Sequence, residues 1–391
     1  MDNSYLIKMK NLAIGLIANY KVPGSNEGID FEYASEEMLQ GITLSLEATG
    51  SRVLHIDANR KVFKKLKSLC DELDLGFNIS EGPPSVKDRK SYVPRMLDML
   101  SIPYTGSGKN ANRVAGNKAL TRQKINGKVN HPGWQLFNRT DQELESLRYP
   151  LFVKPVGGGS SIGIEQDSVV YNEGDLRKAA EMLFSISDGQ LIVEEYLEGK
   201  EYICGMIGDM ILPPLEWDLD EIPGKPLVKD RQIKDMCGTY SKTVNSELIL
   251  NSLAKQAIHA HQSVGASDYS RSDFRSRYNR SVDPLFLEIN TMPNLGRGKS
   301  MARAASLAGI SYEDAVNSVV YSAIVRLSNH SFYRDIFSNR NIEGFSDAYN
   351  SAIESAENRD MIEVGGKVYM LLKPKQNIIP IGRPDKMRMV V

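Results

Sequence analysis

The sequence predicts an α/β protein, with a parallel sheet wrapped by helices first and further αβ units behind it. Two observations predict this. Strand-length apolar runs recur at Leu12-Ala-Ile-Gly-Leu-Ile-Ala18, Arg52-Val-Leu-His-Ile56 and Gly76-Phe-Asn-Ile79, with helical periodicity between them. Alternating strand and helix marks a parallel sheet, because a parallel connection needs a crossover long enough for a helix. The alternation then starts afresh near residue 150, and 391 residues at ~100–200 per domain leave room for two or three domains.

The first helix spans 35–49, with Met38, Leu39, Ile42 and Leu46 on one face and Gly50 at its stop. Another lies near 89–101 and leads into Ile102-Pro-Tyr-Thr-Gly106. The loop from Asn19 to Gly28 lacks G-x-G-x-x-G, which argues against a dinucleotide there. A long polar helix is expected over 109–126. Next come a strand at Leu151-Phe-Val-Lys154, a glycine-rich loop at 157–163, a helix at 172–185 and a strand at 191–196. Glu201 to Met206 turns through Gly208-Asp209 into Met210 to Leu212, as a hairpin. Residues 213–245 carry Pro213, Pro214, Pro223 and Pro226 and read as one long loop, a length usually tied to function or motion. A helix at 247–265 and strands at 269–275 and 285–290 follow. Ser311 and Asp314 cap a helix whose stripe is Val316, Val319, Val320, Ala323, Ile324 and Leu327. Beyond 330 the pattern changes, and the tail ends in a hairpin-like stretch over 361–370.

Composition excludes several classes. Lys+Arg 48 against Asp+Glu 49 gives no basic excess, so no nucleic-acid partner is expected. No apolar run reaches the ~18 residues of a membrane span, so no membrane partner is expected either. Lys8 and Lys10 before Leu12 imitate a secretory leader, but Asn19-Tyr20-Lys21 stands where small cleavage-site residues belong; a buried strand is the better reading. Cys70, Cys204 and Cys237 are an odd, scattered set, which argues against disulfides or zinc and for a cytoplasmic setting. His259 and His261 sit two apart in a helical pattern and do not share a face.

Three segments could carry chemistry. In Val153-Lys-Pro-Val-Gly-Gly-Gly-Ser-Ser-Ile-Gly163 a strand delivers Lys154 into a glycine-rich loop with Ser160 and Ser161. Such a loop can turn its N–H groups onto phosphate, or it can be a plain turn. In Val193-Glu-Glu-Tyr-Leu-Glu-Gly-Lys-Glu201 carboxylates end a strand, suited to ribose hydroxyls or an exocyclic amine, or to solvent. In Arg271-Ser-Asp273 and Leu285-Phe-Leu-Glu-Ile-Asn290 the period of two puts Arg271 with Asp273, and Glu288 with Asn290. Two carboxylates and an amide oxygen are hard donors of the kind magnesium takes.

These segments, with Ile102-Pro-Tyr-Thr-Gly-Ser107 and Glu288-Ile-Asn-Thr-Met-Pro293, occur in the order and spacing of the ATP-grasp superfamily. Over about 11–330 the chain resembles D-alanine–D-alanine ligases. The resemblance implies a Rossmann-like N-terminal domain (1–115) and two αβ subdomains clasping ATP (116–212 and 213–330), with 331–391 an extra tail of no assigned role. It implies ATP and Mg²⁺, two ions by the family's pattern, with Mn²⁺ an acceptable substitute. Lys118 and Lys154 would hold ATP phosphates, with Ser160 and Ser161 in the mobile lid. Glu194 would meet the adenine amine, Tyr196 and Leu197 would line the adenine slot, and Glu201 would take the ribose. Lys234 matches the γ-phosphate lysine. Asp273, Glu288 and Asn290 would be the metal ligands, and Arg271 would steady the acylphosphate. Ser300 would hold the second substrate's carboxylate, and Glu32 the first substrate's amine.

The amino-acid parts depart from the family. Its His-Gly and Gly-Glu-Asp-Gly segments are replaced by Phe77-Asn-Ile-Ser-Glu-Gly82 and Asp88-Arg89, the tyrosine after the loop lysine is Asp235, and Pro-Gly-Met-Thr reads Pro293-Asn-Leu-Gly296. The resemblance implies an ADP-forming carboxylate–amine ligase joining an amino acid to another amino acid or amine, outside cell-wall synthesis. Two alternatives stand beside it: a ligase that loads a carrier protein or natural-product intermediate, and a nucleotide-binding protein without catalysis. A homodimer is compatible with all three.

Overall fold

Three parallel strands open the structure, with Ala13–Ala18 in the centre between Arg52–Asp57 and Leu75–Asn78. The computed structural model describes residues 10–21, 33–83, 86, 88–157, 166–186, 189–217, 241–278, 282–356 and 358–375. Every residue of Ala13–Ala18 is buried, which explains an apolar run without alternation, since helices cover both faces of a parallel sheet. The helix Glu36–Glu47 starts where Ser35 Oγ accepts from the Met38 N–H at 3.2 Å, and it buries Met38, Leu39, Ile42 and Leu46. Its outer turn meets the helix Tyr312–Ser328, where Asn317 Nδ2 donates to the Ser45 carbonyl at 3.0 Å.

The expected single helix over 109–126 is two, Lys109–Ala115 and Lys118–Ile125. Asn117 breaks it: its side chain accepts from the Leu120 N–H at 2.9 Å and starts the second helix in a new direction. The second sheet is wholly antiparallel, in the order Trp134–Phe137, Leu191–Glu195, Leu151–Pro155, Val169–Val170, with the helix Glu173–Ile186 on one face.

The third sheet is built round Glu201–Ile207, which turns through Gly208 (φ +55°) into Met210–Ile211 as a hairpin. It pairs on its other side with Tyr269–Arg275, which pairs in turn with Leu285–Asn290. The long loop expected over 213–245 contains two short strands of this sheet, Leu215–Trp217 and Lys242–Thr243; residues 218–240 lie outside the described part. Past 330 come the helices Ser331–Ser338 and Glu343–Ser355, then a hairpin, Arg359–Val364 with Lys367–Leu372. That hairpin extends the same sheet by parallel pairing of Met210 with Met370 and Ile211 with Leu371. Arg340–Asn341 also pairs with Lys10–Asn11, so the segment after 330 is sewn into both ends of the molecule.

One aspartate joins the first sheet to the third. Asp268, 5% exposed, receives both arms of Arg326 at 2.8 and 2.7 Å and the Gly106 N–H at 2.7 Å. Arg326 also donates to the Tyr104 carbonyl at 2.9 Å.

The helix Glu247–Val264 carries His261, whose Nδ1 lies 2.7 Å from Ser270 Oγ. Burial, and then the charge of Lys367, push this imidazole down to about 4 from an ordinary 6.5. The fold therefore favours the neutral ring. Stability should be full above pH 6.5 and should decline as pH falls from 6.5 toward 4, by up to about 3 kcal/mol. Urea denaturation across that range should show the decline in the parent chain and a flatter profile in His261→Gln. Equal slopes would count against the assignment.

Candidate active site

Glu194 is one of the two most deeply buried charges here. It is the penultimate residue of the strand Leu191–Glu195 and is 1% exposed. One carboxylate oxygen contacts Lys154 Nζ on the neighbouring strand Leu151–Pro155. The other lies 3.0 Å from Arg122 Nη2 on the helix Lys118–Ile125. Burial alone would raise the carboxyl pKa, but Lys154 and Arg122 overcome it and hold Glu194 below the usual range. Arg122 is 1% exposed and stacks over Phe286, with its Cζ 5.3 Å from the ring centre. Sequence reading missed Arg122, because an unbroken helix over 109–126 gives no reason to turn it toward Glu194.

Lys118 opens the same helix, and its N–H donates to the Val156 carbonyl at 3.0 Å. The first turn of the helix is thereby tied to the strand that carries Lys154. Tyr196 and Leu197 leave the end of the Glu194 strand, Leu197 buried and Tyr196 half-buried, while Glu201, 8% exposed, starts the next strand.

The opposite end of the site lies on two paired strands. Asp273 faces Glu288 and Arg271 faces Asn290 in register. Arg271 forks onto Asp273, Nε to Oδ1 at 2.7 Å and Nη2 to Oδ2 at 2.9 Å. Its Nη1 lies 3.5 Å from Oγ of Ser300, the first residue of the helix Ser300–Leu307. Asn290 Oδ1 accepts from the Met292 N–H at 3.0 Å. Thr291 Oγ1 donates to Asn112 Oδ1 at 2.8 Å, linking this end to the helix Lys109–Ala115. Among the described residues no three His, Cys, Asp or Glu side chains gather as a metal site.

The structure thus brings Lys154 and Glu194 together at one end, and Arg271, Asp273, Glu288, Asn290 and Ser300 at the other. Glu32, Ser160, Ser161, Lys234 and Asp235 lie outside the described residues, as does Cys237. Arg89 approaches Glu81, Nη1 to Oε2 at 3.5 Å, with Lys90 at 3.2 Å from Oε1; burial pushes the Arg89 guanidinium down to about 10. Cys204 is buried in the core and its thiol is pushed up to about 12, so it is no nucleophile.

The family pattern described as "D-ala D-ala ligase C-terminus" matches residues 127–321. A D-alanine–D-alanine ligase of Agrobacterium fabrum is 31% identical over 293 residues, 72% of this chain and 90% of its own length. One of Gluconobacter oxydans is 30% identical, over 72% of this chain and 91% of its own. Among solved structures, a D-alanine–D-alanine ligase of Bacillus anthracis complexed with ATP superposes with a TM-score of 0.60 at 18% identity, covering 81% of this chain and 98% of that one. The VanG D-Ala:D-Ser ligase of Enterococcus faecalis gives 0.62 at 18% identity, covering 80% and 100%. At that identity the two structures bear on the fold alone.

The Glu194 cluster is directly testable. Glu194→Ala would leave two buried cations without their carboxylate and should cost about 3–5 kcal/mol. Because the folded carboxyl titrates below its ordinary 4.5, its contribution should be present above pH 4.5 and be lost as pH falls through the lower folded value. Chemical denaturation at pH 7 and below 4.5 measures both. A loss under 1 kcal/mol at pH 7 would show that the cluster is not a closed ion pair.

Proposed function

Since the chain belongs to the D-alanine–D-alanine ligase family of ATP-grasp enzymes, we propose that this ATP-grasp ligase joins a carboxylate to an amine on substrates other than two D-alanines. The single observation behind the proposal is an asymmetry. Lys154, Glu194, Arg271, Asp273, Glu288 and Asn290 keep the residue types that the resemblance calls for, with Lys154 against Glu194 and Asp273 opposite Glu288. The segments that match the family's amino-acid motifs are instead Phe77–Gly82, Asp88-Arg89 and Pro293–Gly296. In the last of these, Asn294 Oδ1 accepts from the Gly296 N–H at 2.8 Å, a self-contained turn that puts a side chain where the family has glycine.

The reaction has two balanced steps. A substrate carboxylate oxygen attacks the γ-phosphorus of ATP; the P–O bond to ADP breaks, and an acylphosphate forms. A neutral amine then attacks the acyl carbon, phosphate leaves, and the amine's extra proton is lost. In this reading Lys118 and Lys154 carry the phosphates' negative charge. Arg271, whose fork is now spent on Asp273, is suited to the acylphosphate and to the oxyanion that follows. Ser300 beside it suits the carboxylate of an amino-acid acceptor. The all-oxygen donors of Asp273, Glu288 and Asn290 suit Mg²⁺, which when bound supplies charge neutralisation at the phosphates. Among the described residues no helix is long and apolar enough to cross a membrane.

Two measurements test this. Phosphate release from ATP should be slow with D-alanine as sole substrate and faster with some pair from a panel of L- and D-amino acids and amines. Efficient D-alanyl-D-alanine formation with no better pair would overturn the substrate assignment. Glu288→Gln should fold normally and lose turnover by about a hundredfold or more, since it removes one charge from the metal donors. Near-parental turnover in that variant would remove Glu288 from the site.

A further inference from the structure

Arg275 has no part in the chemistry above, yet it is among the most thoroughly engaged side chains of the site. It is the last residue of Tyr269–Arg275 and is 6% exposed. Its Nε donates to the Gly199 carbonyl at 3.0 Å, its Nη2 lies 3.4 Å from Tyr196 Oη, and its Nη1 lies 3.7 Å from Glu201 Oε1. Its Cζ also lies 5.1 Å from the centre of the Tyr196 ring. One guanidinium therefore grips the start, the middle and the end of the segment 196–201.

The backbone of that segment is fixed to the same strand end. The Gly199 N–H donates to the Ser276 carbonyl at 3.0 Å, the Ser276 N–H to the Lys200 carbonyl at 2.9 Å, and the Glu198 N–H to the Arg277 carbonyl at 3.1 Å. The approach is so close that a Cβ on Gly199 would stand 2.6 Å from the Ser276 carbonyl oxygen, so only glycine fits. The strand also carries Arg271 and Asp273, and at ~3.4 Å per residue Asp273 lies about 7 Å before Arg275. Base end and phosphate end hang on one rigid element.

We infer that Arg275 is a positioning residue for nucleotide selection, holding the Tyr196 ring and the Glu201 carboxylate as one wall that favours a purine ribonucleotide over its 2′-deoxy form. The inference rests on the reading of Tyr196 as adenine contact and Glu201 as ribose acceptor. An ionised carboxylate only accepts and the 2′-hydroxyl can donate to it; its reach is short, so its placement decides how much a missing 2′-hydroxyl costs. Lysine could not replace this arginine in full: a point charge can face Glu201 but cannot stack on Tyr196 and reach Gly199 at once.

The experiment titrates ATP and dATP into the full-length chain by calorimetry, for the parent, Arg275→Met, Arg275→Lys and Glu201→Gln. The parent should prefer ATP, and both Arg275→Met and Glu201→Gln should weaken ATP about tenfold while weakening dATP much less. Arg275→Lys should recover part of the preference. An unchanged ATP-to-dATP ratio in Arg275→Met, or equal weakening of both nucleotides, overturns the inference. If the methionine variant fails to fold, an unchanged ratio in Arg275→Lys does the same. A ratio lost in Glu201→Gln but kept in the Arg275 variants overturns the role of Arg275 alone. A ratio kept in Glu201→Gln overturns the ribose assignment itself, and Arg275 with it.

Discussion

The rest of the site depends on a carboxylate held between two cations in a place that water hardly reaches. Glu194, Lys154 and Arg122 have side chains 2%, 5% and 1% exposed. Taking three charges out of water is costly, and only close mutual contact offsets it. That requirement fixes the lobe: the helix Lys118–Ile125 must lie across both strands, and the Glu194 strand must register beside Lys154. Arg122 does a second thing. Lying over Phe286 of the strand that carries Glu288 and Asn290, it ties the neighbourhood of Lys154 to that strand. It also gives Glu194 a second counter-ion beside Lys154.

The N-terminal sheet is held against this core by a different device. Asp268 takes Arg326 and the Gly106 N–H at once, and Ser107 Oγ accepts from the Ser267 N–H at 3.0 Å. Asn112 adds a second bridge, donating to the Lys90 and Ser107 carbonyls while accepting from Thr291. Charged and polar contacts at a joint give orientation more than raw stability. The turn that carries Arg89 and Lys90 is therefore one side chain away from the strand that carries Asn290.

Much of this was legible in the sequence, for identifiable reasons. The strand at 12–18 is visible because its apolar run is nearly continuous, as a strand covered on both sides must be, and those at 191–196 and 285–290 because they open on short apolar runs. Trp134–Phe137 was not visible: Gln135 is one of its inward residues, satisfied by the Glu143 carbonyl at 2.9 Å, so the alternation is hidden. Val62–Leu69 and Ser300–Leu307, at 8 residues each, are too short for a periodicity to stand out. Gly116 and Asn117 are a stop and a start signal, set within a polar stretch that otherwise reads as one helix. At the site, residue types and spacing drew attention to Lys154, Glu194, Arg271, Asp273, Glu288 and Asn290, whereas Arg122 and Arg275 make contacts 72 and 76 positions away in sequence, which no local pattern encodes.

The segment beyond 330 changes how the third sheet should be understood. An antiparallel sheet ending at Met210–Ile211 would present an unpaired edge next to the central strand, an invitation to pair with another chain. Here Lys367–Leu372 covers that edge, with Leu371 and Leu372 fully buried, and the sheet ends instead on Arg359–Val364, whose outward side chains include Arg359 and Glu363. Charges along an edge discourage pairing. The central strand Glu201–Ile207 begins with Glu201 and pairs with the strand of Arg271, Asp273 and Arg275. The segment after 330 therefore joins, through Met210–Ile211, the same sheet that carries Glu201, Arg271, Asp273 and Arg275.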